Sequence, residues 1–178
     1  MTSRGNPYGH MERSCMNAHE QLMKLRGDLL KAIERSERIE KYYQEFSTKK
    51  DILRENSYDL VILAEILVDF YTCLETAFVR VAKYFENNLD TSRWHADLLE
   101  RMIVNIPEVR PRMLSDEAYN LLLELMRFRH FRRYYFQFDY DRDKMMFLEK
   151  KFLQAIPLVR KELEEYMDKL DKVGGGSC

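Results

Sequence analysis

The chain has 178 residues, which fits one domain able to bury a real core. It is nearly neutral, with 29 Lys+Arg against 30 Asp+Glu, so a uniformly basic nucleic-acid-coating surface is excluded and any such site has to be a local patch. Six Gly and four Pro leave room for few turns, which argues against many short strands and for long helices. No stretch reaches 18 apolar residues, so no membrane span is expected. Residues 1–10 lack the apolar core of a signal peptide. Cys15, Cys73 and Cys178 cannot complete a disulfide set and show no C-x-x-C spacing; they read as reduced thiols of a cytoplasmic protein.

Residues 1–10 are turn-rich and predict a flexible N-terminal arm, followed by a single helical domain over residues 11–172. From near Met11, Leu22, Leu25, Leu29, Ile33, Ile39, Tyr43 and Phe46 recur mostly at three- or four-residue spacing and form one apolar stripe. Glu34, Arg35, Glu37, Arg38, Glu40 and Lys41 take the other faces and read as solvated charges with i,i+4 partners. Asn56 and Ser57 offer an N-cap to a second helix, from about Tyr58 to Phe85, that is apolar nearly all round and belongs at the centre of a bundle. Asp69 and Glu75 lie on it, where they could either anchor arginines from elsewhere or face solvent.

Residues 86–92 predict a loop, with Thr91 or Ser92 capping a short helix from Trp94 to Ile103. The segment Ile106 to Pro111 cannot be helical throughout, because proline restricts itself and its predecessor. Ser115 is an N-cap, with Asp116 and Glu117 in the first turn of a fourth helix. Phe138 to Asp141 read as a turn, and a last helix is expected from Arg142 to about Leu170, bent or divided at Pro157. Residues 173–178 read as a flexible tail. The expected fold is all-α, an up-and-down bundle of about five helices.

Several common chemistries are missing from the sequence: it has no Gly-rich phosphate loop, no H-E-x-x-H, no Cys/His cluster and no G-x-S-x-G. His10, His19 and His95 are scattered. The densest functional signal is Arg127-Phe-Arg-His-Phe-Arg-Arg-Tyr-Tyr-Phe136 at the end of the fourth helix. On a helix, Arg129 and Arg133 share one face, and His130 and Tyr134 share the neighbouring face. Phe128, Phe131 and Tyr135 can then point toward the bundle. Guanidinium groups among aromatic rings suit a phosphodiester chain with bases to stack on, which makes Arg127, Arg132 and Arg133 candidate RNA contacts. The same arginines could equally pair with acids such as Glu75, Asp139 or Asp141 and serve only the fold.

Three blocks together resemble the HepT-like branch of the HEPN superfamily: Asp69 to Phe78, Trp94 to Met102, and Arg127 to Phe136. The resemblance covers roughly residues 57–172. It implies a helical domain that forms a homodimer, with two copies of its motif in one cleft. It also implies a metal-independent endoribonuclease toxin that needs no cofactor, and a nucleotidyltransferase (MNT-type) antitoxin that neutralises it by binding or by adding AMP to a tyrosine. The family motif is Arg, four residues, His, one residue, Tyr. Counted from Arg129, the histidine position is occupied by Tyr134 and the tyrosine position by Phe136.

Arg129 is then the phosphate-orienting residue, but the imidazole is displaced. A phenol with an unperturbed pKa of ~10 is a poor base at neutral pH, and losing a general acid/base group typically costs on the order of 10²–10⁴-fold in rate. His130 lies one turn before Tyr134 on the same face and is the remaining acid/base candidate. Phe136 has no hydroxyl to accept AMP, which leaves Tyr135 as the nearest substitute. Three expectations follow: a weakened ribonuclease toxin using Arg129, His130 and Tyr134; an inactive HEPN module that binds RNA or a nucleotidyltransferase; or arginines that serve only the fold.

Overall fold

The computed structural model describes residues 8–49, 57–85, 94–134 and 140–174. Within them are five helices and no strand: α1 (Tyr8–Lys49), α2 (Ser57–Phe85), α3 (Trp94–Met102), α4 (Asp116–Tyr134) and α5 (Arg142–Gly174). The architecture is the expected all-α, HEPN-like bundle. α2 is its axis and packs against each of the other four helices. Its Leu63, Leu67, Phe70, Leu74, Phe78 and Val81 are buried, as a helix apolar on most of its circumference requires. One stripe of α2 still reaches solvent: Tyr58, Ile62, Glu65, Asp69 and Thr76, at helical spacing.

α1 lays the stripe Leu22, Leu25, Leu29, Ile33, Tyr43 and Phe46 into the core. Polar contacts fasten it. The Tyr43 hydroxyl donates to Glu149 of α5 at 2.5 Å, Arg26 pairs with Asp171, and the Cys73 thiol donates to the Ala32 carbonyl at 3.4 Å. Glu40 and Glu37, expected to find partners along α1, reach across to Arg160 of α5 instead. A neighbouring helix brings that guanidinium close, and a cross-helix pair between partly buried groups outcompetes a solvated i,i+4 pair of small value.

Boundaries differ modestly from expectation. α1 begins at Tyr8, ahead of Met11, and α5 continues to Gly174, because adding a residue to an existing helix costs little compared with nucleating one. Residues 1–7 of the expected arm, residues 175–178 of the expected tail and the expected caps Asn56, Thr91 and Ser92 lie outside the described residues. Pro157 does not divide α5. Pro157 and Leu153, whose carbonyl loses its helical donor, both lie on the exposed face, where water can supply the bond.

Between α3 and α4 the chain makes a tight loop. Ile106 and Arg110 exchange backbone bonds of 2.8 and 2.9 Å, and Glu108 takes a left-handed φ of 62°. The amides of Met113 and Leu114 both donate to the Met102 carbonyl, which closes the end of α3. Ser115 caps α4 as expected: its hydroxyl accepts from the Ala118 amide at 3.1 Å.

Burial lifts the phenols of Tyr43, Tyr71 and Tyr166 well above the ordinary value of ~10, with the Glu149 hydrogen bond adding to the effect at Tyr43. Above about pH 10 the unfolded chain therefore releases these protons while the folded chain keeps them. The folded state then binds more protons, so stability falls as pH rises. Urea unfolding should show a loss of stability between pH 8 and about pH 11, and Tyr166→Phe should flatten that slope.

Candidate functional site

α4 carries Ala118, Leu121, Leu122, Leu125 and Phe128 into the core. That inner stripe decides where the basic residues after it go. Arg129 turns toward α2. Its Nη1 and Nη2 donate to the two carboxylate oxygens of Glu75 at 3.2 and 2.7 Å, and its Nε donates to the Thr72 hydroxyl at 2.9 Å. Glu75 is only 7% exposed, so this fork is mostly desolvated. The guanidinium has five N–H donors; these bonds use three and leave one on each terminal nitrogen.

The other arginines diverge. Arg132 donates to the Tyr140 hydroxyl, lies 5.7 Å from that ring's centroid, and pairs with Glu65 of α2 at 2.8 Å. Arg127 pairs with Glu124 one turn back at 2.7 Å, on the surface, where such a pair contributes little. Arg133 is exposed and makes no ion pair among the described residues. Arg129 and Arg133 thus share a helical face by spacing, but the fork with Glu75 draws the first inward while the second stays in solvent.

His130 and Tyr134 do come together. Their rings meet edge to face, with centroids 5.2 Å apart and planes at 61°. Both are exposed, Tyr134 by 64%. Phe128 and Phe131 point inward as expected, Phe128 fully and Phe131 in part, with the Lys144 ammonium 5.2 Å from the Phe131 ring centroid. Tyr135, Phe136 and Asp139 lie outside the described residues. Asp141 does not pair with the arginines; its carboxylate accepts from the Lys144 amide and caps α5.

Three partners escaped the sequence reading: Thr72, Glu65 and Tyr140. The spacing of Thr72 and Glu75, one turn apart on an otherwise apolar helix, was the available signal for a polar receptor. A groove also opens between α1 and α2, with a cavity of about 880 Å³ lined by Arg35, Arg38, Tyr42, Glu65, Asp69 and Thr72 among others. Glu65 and Thr72 thus face both the groove and α4. Burial, with the nearby Glu65 charge, raises the pKa of Asp69, against the opposing pull of Arg35. Among the described residues no three His, Cys, Asp or Glu side chains are grouped to hold a metal ion, and no helix is long and apolar enough to cross a membrane.

A family model described as HepT-like protein matches residues 62–170, well over half of the chain. The chain belongs to the HepT-like family. Comparison with curated proteins and with solved structures gave no match. The HepT-like match takes in most of α2, all of α3 and α4, and α5 as far as Leu170, including the Glu75–Arg129 fork and the His130–Tyr134 pair. α1 lies outside it. HepT-like proteins are HEPN-type toxin modules, generally parts of toxin–antitoxin systems.

Arg129→Ala should destabilise the protein by about 3 kcal/mol, because it strips a buried carboxylate of its guanidinium. The double variant Glu75→Ala/Arg129→Ala should cost clearly less than the sum of the two single changes. Denaturant unfolding of the four proteins measures the difference, and simple additivity would show that the fork is not a coupled pair.

Proposed function

We propose that this HepT-like chain is the RNA-cleaving toxin of a toxin–antitoxin pair, cutting without a metal ion, dimeric, active in the cytoplasm and held in check by an MNT-type nucleotidyltransferase antitoxin. The observation that carries this is the end of α4, where Arg129 is fixed by Glu75 and Thr72 and the edge-to-face His130–Tyr134 pair begins at the next residue. Arg129 presents its remaining N–H groups to a non-bridging phosphate oxygen. Arg133, with Arg127 and Arg132 alongside, adds positive charge for the RNA backbone.

His130 removes the proton from a ribose 2′-hydroxyl. The 2′-oxygen attacks phosphorus, the bond to the 5′-oxygen breaks, and the leaving oxygen takes a proton from the second imidazole of the dimer. The products are a 2′,3′-cyclic phosphate and a 5′-hydroxyl. Tyr134 holds the imidazole edge to face and does not itself act as base. With Phe136 at the AMP-acceptor position, the antitoxin acts by binding, and Tyr135, next in the chain, is the hydroxyl that AMP transfer would use.

A second reading, an inactive module that binds RNA or the nucleotidyltransferase, is favoured by one observation: Glu75 neutralises the arginine that should face phosphate. Incubating the purified protein with RNA in EDTA separates the two. Cleavage by wild type, lowered on the order of 10²–10⁴-fold in His130→Ala, supports the nuclease. Equal cutting by His130→Ala removes that residue from the mechanism. A silent wild type whose Tyr134→His variant cuts would establish the binding module instead.

A further inference from the structure

Arg35 and Arg38, expected to be solvated charges with i,i+4 partners, belong instead to a basic row on one face of α1. Lys31, Arg35, Arg38 and Tyr42 stand at i, i+4, i+7 and i+11, so they form a single row along the helix, about 16 Å long. All four are exposed, Tyr42 by 56%. None of the three cations has an ion-pair partner among the described residues, although Arg26, Arg80 and Arg160 nearby all do. Arg35, Arg38 and Tyr42 form one wall of the 880 Å³ groove, and a smaller cavity that includes Lys31 extends it past Arg35 and Arg38. The opposite wall is the solvent stripe of α2, with Asp69 and Thr72.

We propose that this groove is a binding track for single-stranded RNA, with Lys31, Arg35 and Arg38 holding phosphates, Tyr42 stacking a base, and Asp69 accepting from the exocyclic amino group of a base edge. The proposal rests on the RNA reading of α4. Three features carry it. The cations stand in a row on a rigid helix, a shape that suits a linear polyanion. An exposed phenol ends the row, and base–aromatic stacking is the usual sequence-tolerant anchor of single strands. The groove leads directly to the candidate site, because Thr72 borders it and also holds Arg129. Two acids stand on the wall opposite the cations: Glu65 is occupied by Arg132, and Asp69 is left to meet base edges rather than phosphates; on the α1 side the extension holds Asp28, which pairs with Arg80, and the exposed Glu34. Cytosine carries an amino group there and uracil does not, so the track prefers C-containing strands to U-containing ones.

Binding of fluorescent oligo-C and oligo-U to the full chain, followed by anisotropy at several salt concentrations, tests this. Wild type should bind oligo-C more tightly. Arg35→Gln/Arg38→Gln should weaken both on the order of tenfold or more at low salt and flatten the log–log salt slope by about 1.4, the signature of two lost phosphate contacts. Tyr42→Ala should weaken both by about 5- to 150-fold. Asp69→Ala should abolish the preference for C. All these side chains are exposed, and thermal unfolding of each variant checks that it folds. If wild type binds RNA and the double arginine variant keeps its affinity and slope, the track is wrong while the nuclease reading stands. If the variants behave as expected but His130→Ala and Arg129→Ala cut RNA like wild type, the track stands and the catalytic assignment falls. No affinity of wild type for either strand overturns the track.

Discussion

Glu75 is a carboxylate buried on the helix against which every other helix packs, and such a group has to meet a counter-charge. Removing a carboxylate from water costs several kcal/mol unless a partner is held in good geometry. Arg129 supplies that partner through two N–H···O bonds, and Thr72, one turn earlier, takes the third. The consequence is register. If α4 slid by one turn along α2, all three bonds would be lost at once, which a purely apolar interface would tolerate far better. The fork therefore fixes where the last turns of α4 emerge, and with them the surface positions of His130, Arg133 and Tyr134.

That anchoring has an electrostatic cost. A guanidinium paired with a carboxylate keeps its directional donors but loses most of its net field. Arg127 and Arg132 are likewise paired. The end of α4 is thus less positive than its four arginines suggest, and only Arg133 is without an ion pair among the described residues. Cations without an ion-pair partner among the described residues line α1 at Lys31, Arg35 and Arg38. The exposed stripe of α2 carries Glu65 and Asp69 between the two helices, which keeps the basic rows apart.

Much of this was legible in the sequence. The periodic stripe of α1, the nearly all-round apolar character of α2, the Ser115 cap and the breaks near Pro107 and Pro111 each follow from local rules and fall where those rules put them. The pairing of His130 with Tyr134 also follows from spacing alone. The fate of Arg129 did not. Whether Glu75 is buried depends on which helix docks beside it, and no local pattern encodes that. The α1 row was hidden for a related reason. Arg35 and Arg38 are interleaved with Glu34, Glu37 and Glu40, so the run reads as self-neutralising. Only the packing of α5 shows that Glu37 and Glu40 are taken by Arg160, leaving the arginines available.

The displaced imidazole gains meaning from helix geometry. A histidine at position 134 would stand five residues from Arg129, about 7.5 Å further along the axis. His130 stands only about 1.5 Å along and about 100° round. Moving the imidazole back one turn keeps it on the same face while drawing it level with the guanidinium. In the proposed nuclease, a phosphate contacted by Arg129 would then be approached from the side rather than from the helix end. Tyr134 fills the vacated position and leans its ring on the imidazole, which restricts where that ring can turn. The departure from the family pattern therefore brings the imidazole level with the guanidinium along the helix axis. The Glu75 fork sustains it, because an arginine free to swing would have no reason to stay level with His130.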